Sequence, residues 1–129
     1  MDKVVHFEIE ADDLDRAQKF YQEIFGWEIQ NVSAPGMEYR LINTVETDEK
    51  QMPKEAGAIN GGLQKKTGQS KGVVIVIDVK SIDETLKKVQ ERGSKIVMPK
   101  TQVGDMGLYA RVTDTEGNVI GIWEDVKKM

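Results

Sequence analysis

The chain has no cysteine, which excludes disulfides, thiolate metal sites and a cysteine nucleophile. It has a single histidine, His6, so any imidazole chemistry has one ring to work with. No apolar run approaches the roughly 18 residues of a membrane span. The opening residues MDKVV pass from a charge straight into a strand pattern, unlike a signal peptide. There is no basic excess either: the net charge is -4, and segments such as LKKVQER and DVKKM mix the two signs. Phosphate binding needs clustered Lys and Arg, so a nucleic-acid surface is not expected. These absences together predict a cytoplasmic protein with neither a membrane nor a nucleic-acid partner.

What is present is ordinary for one folded domain. The chain has 129 residues, 39% hydrophobic and 31% charged, enough to bury a core and stay in solution. In VVHFEIE, Val5, Phe7 and Ile9 alternate with His6, Glu8 and Glu10, the period-2 signature of a strand with one face buried. The period then becomes helical, with Leu14, Ala17, Tyr21, Ile24 and Phe25 forming a stripe and Phe20 on its flank. Asp13 is placed to cap this helix, Asp12 and Asp15 suit its positive end, and Gly26 offers a left-handed stop. WEIQNV, a turn at Ala34 to Gly36, and MEYRLI starting at Met37 read as strand, turn and strand. Residues 43–60 read as a long loop, either a lid or contact segment or a disordered excursion, and GGLQKK as a short strand.

The second half repeats that grammar. KGVVIVIDV reads as a strand, and SIDE (Ser81 to Glu84) as a capping box opening a helix whose stripe is Ile82, Leu86 and Val89. KIVMPK, LYARVT and VIGIWE follow as strands, with turns at VGDMG and DTEGN. An offset of 68 residues (74 minus 6) aligns Lys3–Glu23 with Lys71–Glu91 and makes 7 of the 21 pairs identical. Such a repeat points to two modules packed as one domain, the alternative being coincidence between two amphipathic strand-helix units.

HFEIEADDLDRAQKFYQEIFGWE, then DETLKKVQERGSKIVMPK, then DTEGNVIGIWE, closely resemble the glyoxalase / bleomycin resistance / extradiol dioxygenase group, the vicinal oxygen chelate superfamily, over almost the whole chain. The resemblance implies an α+β fold in which two βαβββ modules, 1–66 and 71–129, form a cupped mixed sheet within one domain, 1–129. It also implies a homodimer. In metal-dependent members the cup holds a divalent ion, and the resemblance puts the first ligand at His6. The place of the second is Val74, that of the last is Gly121, four residues past Gly117, and a further one falls near Gly61 to Leu63. None of these three carries an imidazole or carboxylate. Glu124, three residues beyond Gly121, falls on the opposite strand face and cannot stand in.

Sites of this kind need about three protein ligands with one position open. His6 and Glu8, about 7 Å apart at two-residue spacing, supply two, so no metal and no cofactor is expected. His6 and Glu8 are the candidate catalytic pair, a possible base and a possible acid or base. The structural alternatives are a neutral, hydrogen-bonded His6 lining the cup and a Glu8 that is an exposed strand carboxylate or an ion-pair partner. Tyr109 and Arg111 alternate with apolar Leu108, Ala110 and Val112 and are expected to face the cup, where Arg111 either binds an anionic ligand or pairs with Glu8. Trp123 could stack on a planar ligand or belong to the core. With Val74, Val76 and Val119 it describes an apolar lining suited to a small molecule.

Three functional classes remain open on the sequence. The chain binds or transforms a small, partly apolar molecule without the usual metal site; or it is a metal-dependent lyase or dioxygenase with an irregular site; or it is a non-catalytic assembly domain.

Overall fold

The computed structural model describes residues 1–32, 38–70 and 72–126, so the turn expected at Ala34 to Gly36 and the strand start expected at Met37 lie outside it. In chain order the elements are β1 (Lys3–Ala11), α1 (Leu14–Phe25), β2 (Glu28–Asn31), β3 (Tyr39–Asn43), β4 (Asn60–Lys65), β5 (Val74–Asp78), α2 (Ile82–Glu91), β6 (Ile96–Val103), β7 (Gly107–Thr113) and β8 (Val119–Asp125). The pattern is βαβββ twice. Two compact units are formed, one from His6 to Val73, the other from Val74 to the end together with Met1–Val5.

In the His6–Val73 unit the strands lie in the order β2-β3-β4-β1. β2/β3 and β3/β4 are antiparallel, whereas β4 returns parallel to β1. The other unit has the order β5-β8-β7-β6, with β8 parallel to β5 and the remaining pairs antiparallel. Each half therefore has the same topology, its fourth strand beside its first. The registers also agree with the repeat: Glu8 lies opposite Gly62 in one half and Val76 opposite Gly121 in the other, and 76 minus 8 is again 68.

Both helices start where the sequence provides a cap. The Asp13 carboxylate accepts a hydrogen bond from the Arg16 amide at 3.0 Å, and the Ser81 hydroxyl accepts one from the Glu84 amide at 3.2 Å. These satisfy amides that the first turn leaves without partners. A third cap comes from far away in sequence: Glu124 Oε1 accepts from the Ile82 amide at 2.8 Å, which places a carboxylate at the positive end of α2. Gly26 closes α1 at φ 72°, in the left-handed region.

One face of each sheet packs under its helix. In the first half Leu14, Ile42 and Leu63 form the buried centre, joined by Phe7, Ile9, Ala11, Ala17, Trp27 and Ile29. In the second half Val79, Ile82, Ala110, Val112 and Ile122 do so, with Ile77, Leu86, Val89, Ile96, Leu108 and Ile120 around them. Burying one such side chain contributes about 1.5–3 kcal/mol, so these two clusters hold the helices in place.

The expected stripe of α1 is buried only in part: Leu14 is 4% exposed, but Ile24 is 62% and Phe25 58% exposed. The last turn of the helix packs ring against ring rather than on the sheet, with Tyr21 stacked on Trp27 at 4.9 Å and Phe25 set against Trp27 at 5.8 Å. The long loop is tied at both ends. Asn60 Oδ1 accepts from the Thr44 amide at 2.7 Å, and the Thr44 hydroxyl donates to the Ile59 carbonyl at 2.8 Å. Between them, Asp48 accepts from the amides of Lys50 and Met52, which folds the loop tip on itself.

Replacing Ile82, which is fully buried at the junction of α2 and its sheet, by alanine is expected to destabilise the protein by about 2–5 kcal/mol in chemical denaturation. A loss below about 1 kcal/mol would show that α2 is not held by this cluster.

Candidate functional site

Strand alternation leaves a second face on each sheet, opposite the helix. In the His6–Val73 unit that face carries His6, Glu8 and Glu10 from β1, Asn60, Gly62 and Gln64 from β4, and Tyr39 and Leu41 from β3, since β1, β4 and β3 are paired in register. Tyr39 lies opposite Gln64, yet its ring leans back across Gly62. There its hydroxyl meets His6 Nε2 at 3.2 Å. A methyl group on Gly62 would overlap the Tyr39 hydroxyl and ring, so this approach depends on a glycine at that place. His6 is half-buried and lies opposite Asn60, whose carbonyl oxygen anchors the long loop.

Burial holds the His6 pKa below its ordinary value of 6.5, with the Glu8 carboxylate pulling it partly back up. The ring is therefore neutral at pH 7, able to accept a proton or a hydrogen bond. Glu8 itself is 7% exposed, so the reading of it as an exposed strand carboxylate is corrected. Strand position explains this: Glu8 sits in the middle of β1, directly opposite Gly62 of the neighbouring strand. Glu10, two residues further on, accepts from Gln64 Nε2 and the Thr67 hydroxyl, each at 3.1 Å.

The second unit builds its helix-free face in the same way from other residues. Val76, Gly121 and Arg111 line up across β5, β8 and β7, and Asp78, Trp123 and Tyr109 form the next row. Val74 and Val76 are buried on β5. Here Tyr109 leans over Gly121, as Tyr39 leans over Gly62, and its hydroxyl accepts from Arg111 Nε at 3.0 Å. Arg111 is 2% exposed, the largest fully buried side chain among the described residues. Trp123 extends over Gly107 and donates from Nε1 to Asp125 at 2.7 Å. The DTEGN turn is held by Asp114, which accepts from the amides of Glu116 and Asn118 and from the Asn118 side chain. Those bonds lower the Asp114 pKa and give the motif a structural role.

Tyr39 is the residue that the sequence reasoning missed. The signal was available in the repeat: Tyr39 and Tyr109 both precede, by two residues, the side chain lying opposite the fourth-strand glycine. The pair is 70 residues apart (109 minus 39), so the internal alignment at offset 68 misses it unless the offset moves by two in the third strands.

The donor set does not fit a three-ligand metal centre. Among the described residues no three His, Cys, Asp or Glu side chains come together in a group that could hold an ion. At the expected ligand places, Val74 has no donor, and Gly62 and Gly121 lie beneath tyrosine rings. Glu124 is committed to the α2 amide. An open groove of about 420 Å³ lies between the end of β1 and α1, lined by residues including Asp13, Arg16, Phe20, Tyr21 and Lys66, and none of the candidate site residues lines it.

The family model for the Glyoxalase/Bleomycin resistance protein/Dioxygenase superfamily matches residues 3–122. The chain belongs to this superfamily. Two curated relatives, each named "Putative glyoxylase CFP32", from Mycobacterium bovis (strain ATCC BAA-935 / AF2122/97) and Mycobacterium tuberculosis (strain CDC 1551 / Oshkosh), are 24% identical over 117 residues. The match covers 91% of this chain but 43% of theirs, so the chain spans less than half the length of these relatives. Among solved structures, a hypothetical protein of Bacillus halodurans C-125 superposes with TM-score 0.68 at 17% identity, covering 99% of this chain and 97% of that one. A variant of Streptomyces coelicolor methylmalonyl-CoA epimerase in complex with 2-nitronate-propionyl-CoA gives 0.67 at 15%, covering 97% and 98%. The methylmalonyl-CoA epimerase of Mycobacterium tuberculosis gives 0.62 at 16%, covering 96% and 88%. At these identities the superpositions show a shared fold. Among the described residues no helix is long and apolar enough to cross a membrane.

The lowered His6 pKa has a consequence for stability. Between that lowered value and 6.5 the unfolded chain binds a proton that the folded chain does not, so stability rises with pH across this window and falls as pH drops through it. Denaturation midpoints measured across the window are expected to show this slope in the wild type and to lose it in His6→Asn. An unchanged slope in the variant would mean that His6 is not the group responsible.

Proposed function

We propose that this chain binds a small, partly apolar molecule on the helix-free sheet faces, and that His6 supplies the polar chemistry without a three-ligand metal site. The observation that carries this reading is the pairing of a half-buried imidazole with the Tyr39 hydroxyl over Gly62. A neutral ring in that setting serves as a hydrogen-bond acceptor to a ligand or as a proton acceptor from one. In this reading Glu8 tunes the ring through its charge. Tyr109, Arg111, Trp123, Val74 and Val76 are the ligand-binding side chains of the second half, the first two polar and the others largely apolar.

Acyl-CoA thioesters are the first class to test, because a structural neighbour was solved with 2-nitronate-propionyl-CoA bound. Small free carbonyl compounds form the comparison set. With one histidine in the chain, the ring carbons of His6 give a single reporter in the NMR spectrum. Adding propionyl-CoA or a small carbonyl compound is expected to shift that signal and raise the melting temperature, since a ligand at a hundred times its Kd stabilises by about 2.7 kcal/mol. His6→Ala is expected to weaken binding at least several-fold. Binding that shifts other signals while leaving His6 unmoved would place the ligand elsewhere and overturn the reading. Loss of the acyl-CoA substrate or appearance of a product over time would separate turnover from binding.

A further inference from the structure

We propose that Tyr39 is the positioning residue for His6, that it holds the ring in the form with its proton on Nδ1 by donating to Nε2, and that Gly62 is what seats it. This rests on the reading of His6 as the polar centre of the site. A phenol hydroxyl can donate, and a neutral imidazole offers one bare nitrogen to accept. At 3.2 Å the Tyr39 hydroxyl is within donating distance of Nε2. Any side chain on Gly62 would occupy the space that the tyrosine ring crosses.

The second half supplies an independent check on the seat. Tyr109 crosses Gly121 in the same manner, but its hydroxyl accepts from Arg111, a side chain that can only donate. The repeat has thus retained a tyrosine over a glycine while changing the group that the hydroxyl serves. In the first half that group is the only imidazole in the chain. The titratable groups set toward it within its unit are Tyr39 across β4 and Glu8 two residues along β1, with Glu10 following on the same face.

Nitrogen-15 NMR of the full chain, labelled at its single histidine, reads the ring directly. At pH 8 the wild type is expected to show a protonated Nδ1 and a bare, hydrogen-bonded Nε2. Tyr39→Phe is expected to shift the ring toward the form protonated at Nε2, because the bond that keeps Nε2 bare has gone. Gly62→Ala is expected to produce the same change although Tyr39 is still present. Should Gly62→Ala alone fail to fold, the double variant Gly62→Ala with Tyr39→Ala is expected to recover folding, since the clash is with the tyrosine. A wild-type ring protonated at Nε2, or a ring unchanged in Tyr39→Phe, would overturn the proposal. The two readings fail separately: expected nitrogen spectra without any ligand response would uphold Tyr39 as the positioning residue while removing the binding site, whereas ligand shifts at His6 with a ring indifferent to Tyr39→Phe would do the reverse.

Discussion

In each half of this molecule one helix must bury its apolar side against four strands, and strand alternation then divides every strand between two faces. Ile42 and Leu63 in the first half, and Ala110, Val112 and Ile122 in the second, lie on the helix side because they alternate with residues that do not. The residues that chemistry could use are on the other side for the same reason. Slipping β1 by one residue against β4 would turn Phe7 and Ile9 away from α1 and put His6 and Glu8 in their place. The cores under the helices thereby fix the register that brings His6 opposite Asn60 and Glu8 opposite Gly62.

With that register fixed, the fourth strand of each half carries a glycine at its middle, and a tyrosine from the third strand fills the space above it. Family resemblance expects ligand side chains at or near these two places. Here each is covered by a phenol ring, and the hydroxyls serve neighbours on the same faces: His6 in one half, Arg111 in the other. The halves have also diverged in what flanks the glycine. One sets Glu8 and Leu41 on either side, the other Val76 and Arg111, so that an ionisable group and an apolar one have exchanged strands.

Most of the fold could be read from the sequence because it depends on period and punctuation. The 2-residue and 3.6-residue patterns located the strands and helices within a few residues, and Asp13, Ser81 and Gly26 marked helix ends through local backbone chemistry. The assignment of Glu124 to the opposite face also followed from alternation, and the structure shows it capping α2. What failed were properties set by neighbours distant in sequence. Ile24 and Phe25 are exposed although they continue the apolar stripe of α1, and the burial of Glu8 depends on a partner strand more than fifty residues away. Tyr39 escaped notice because its role lies in a diagonal reach across β4, which no spacing in one strand reveals.

This chain has the superfamily fold, yet among the described residues no three His, Cys, Asp or Glu side chains group to hold an ion, and its one imidazole meets a tyrosine hydroxyl. Metal analysis of the purified chain, with divalent-ion titration by calorimetry and His6→Ala as the control, distinguishes this arrangement from a metal centre. Less than a stoichiometric amount of any divalent metal is expected, with no tight binding that depends on His6. One tightly held equivalent per chain, lost in His6→Ala, would contradict it.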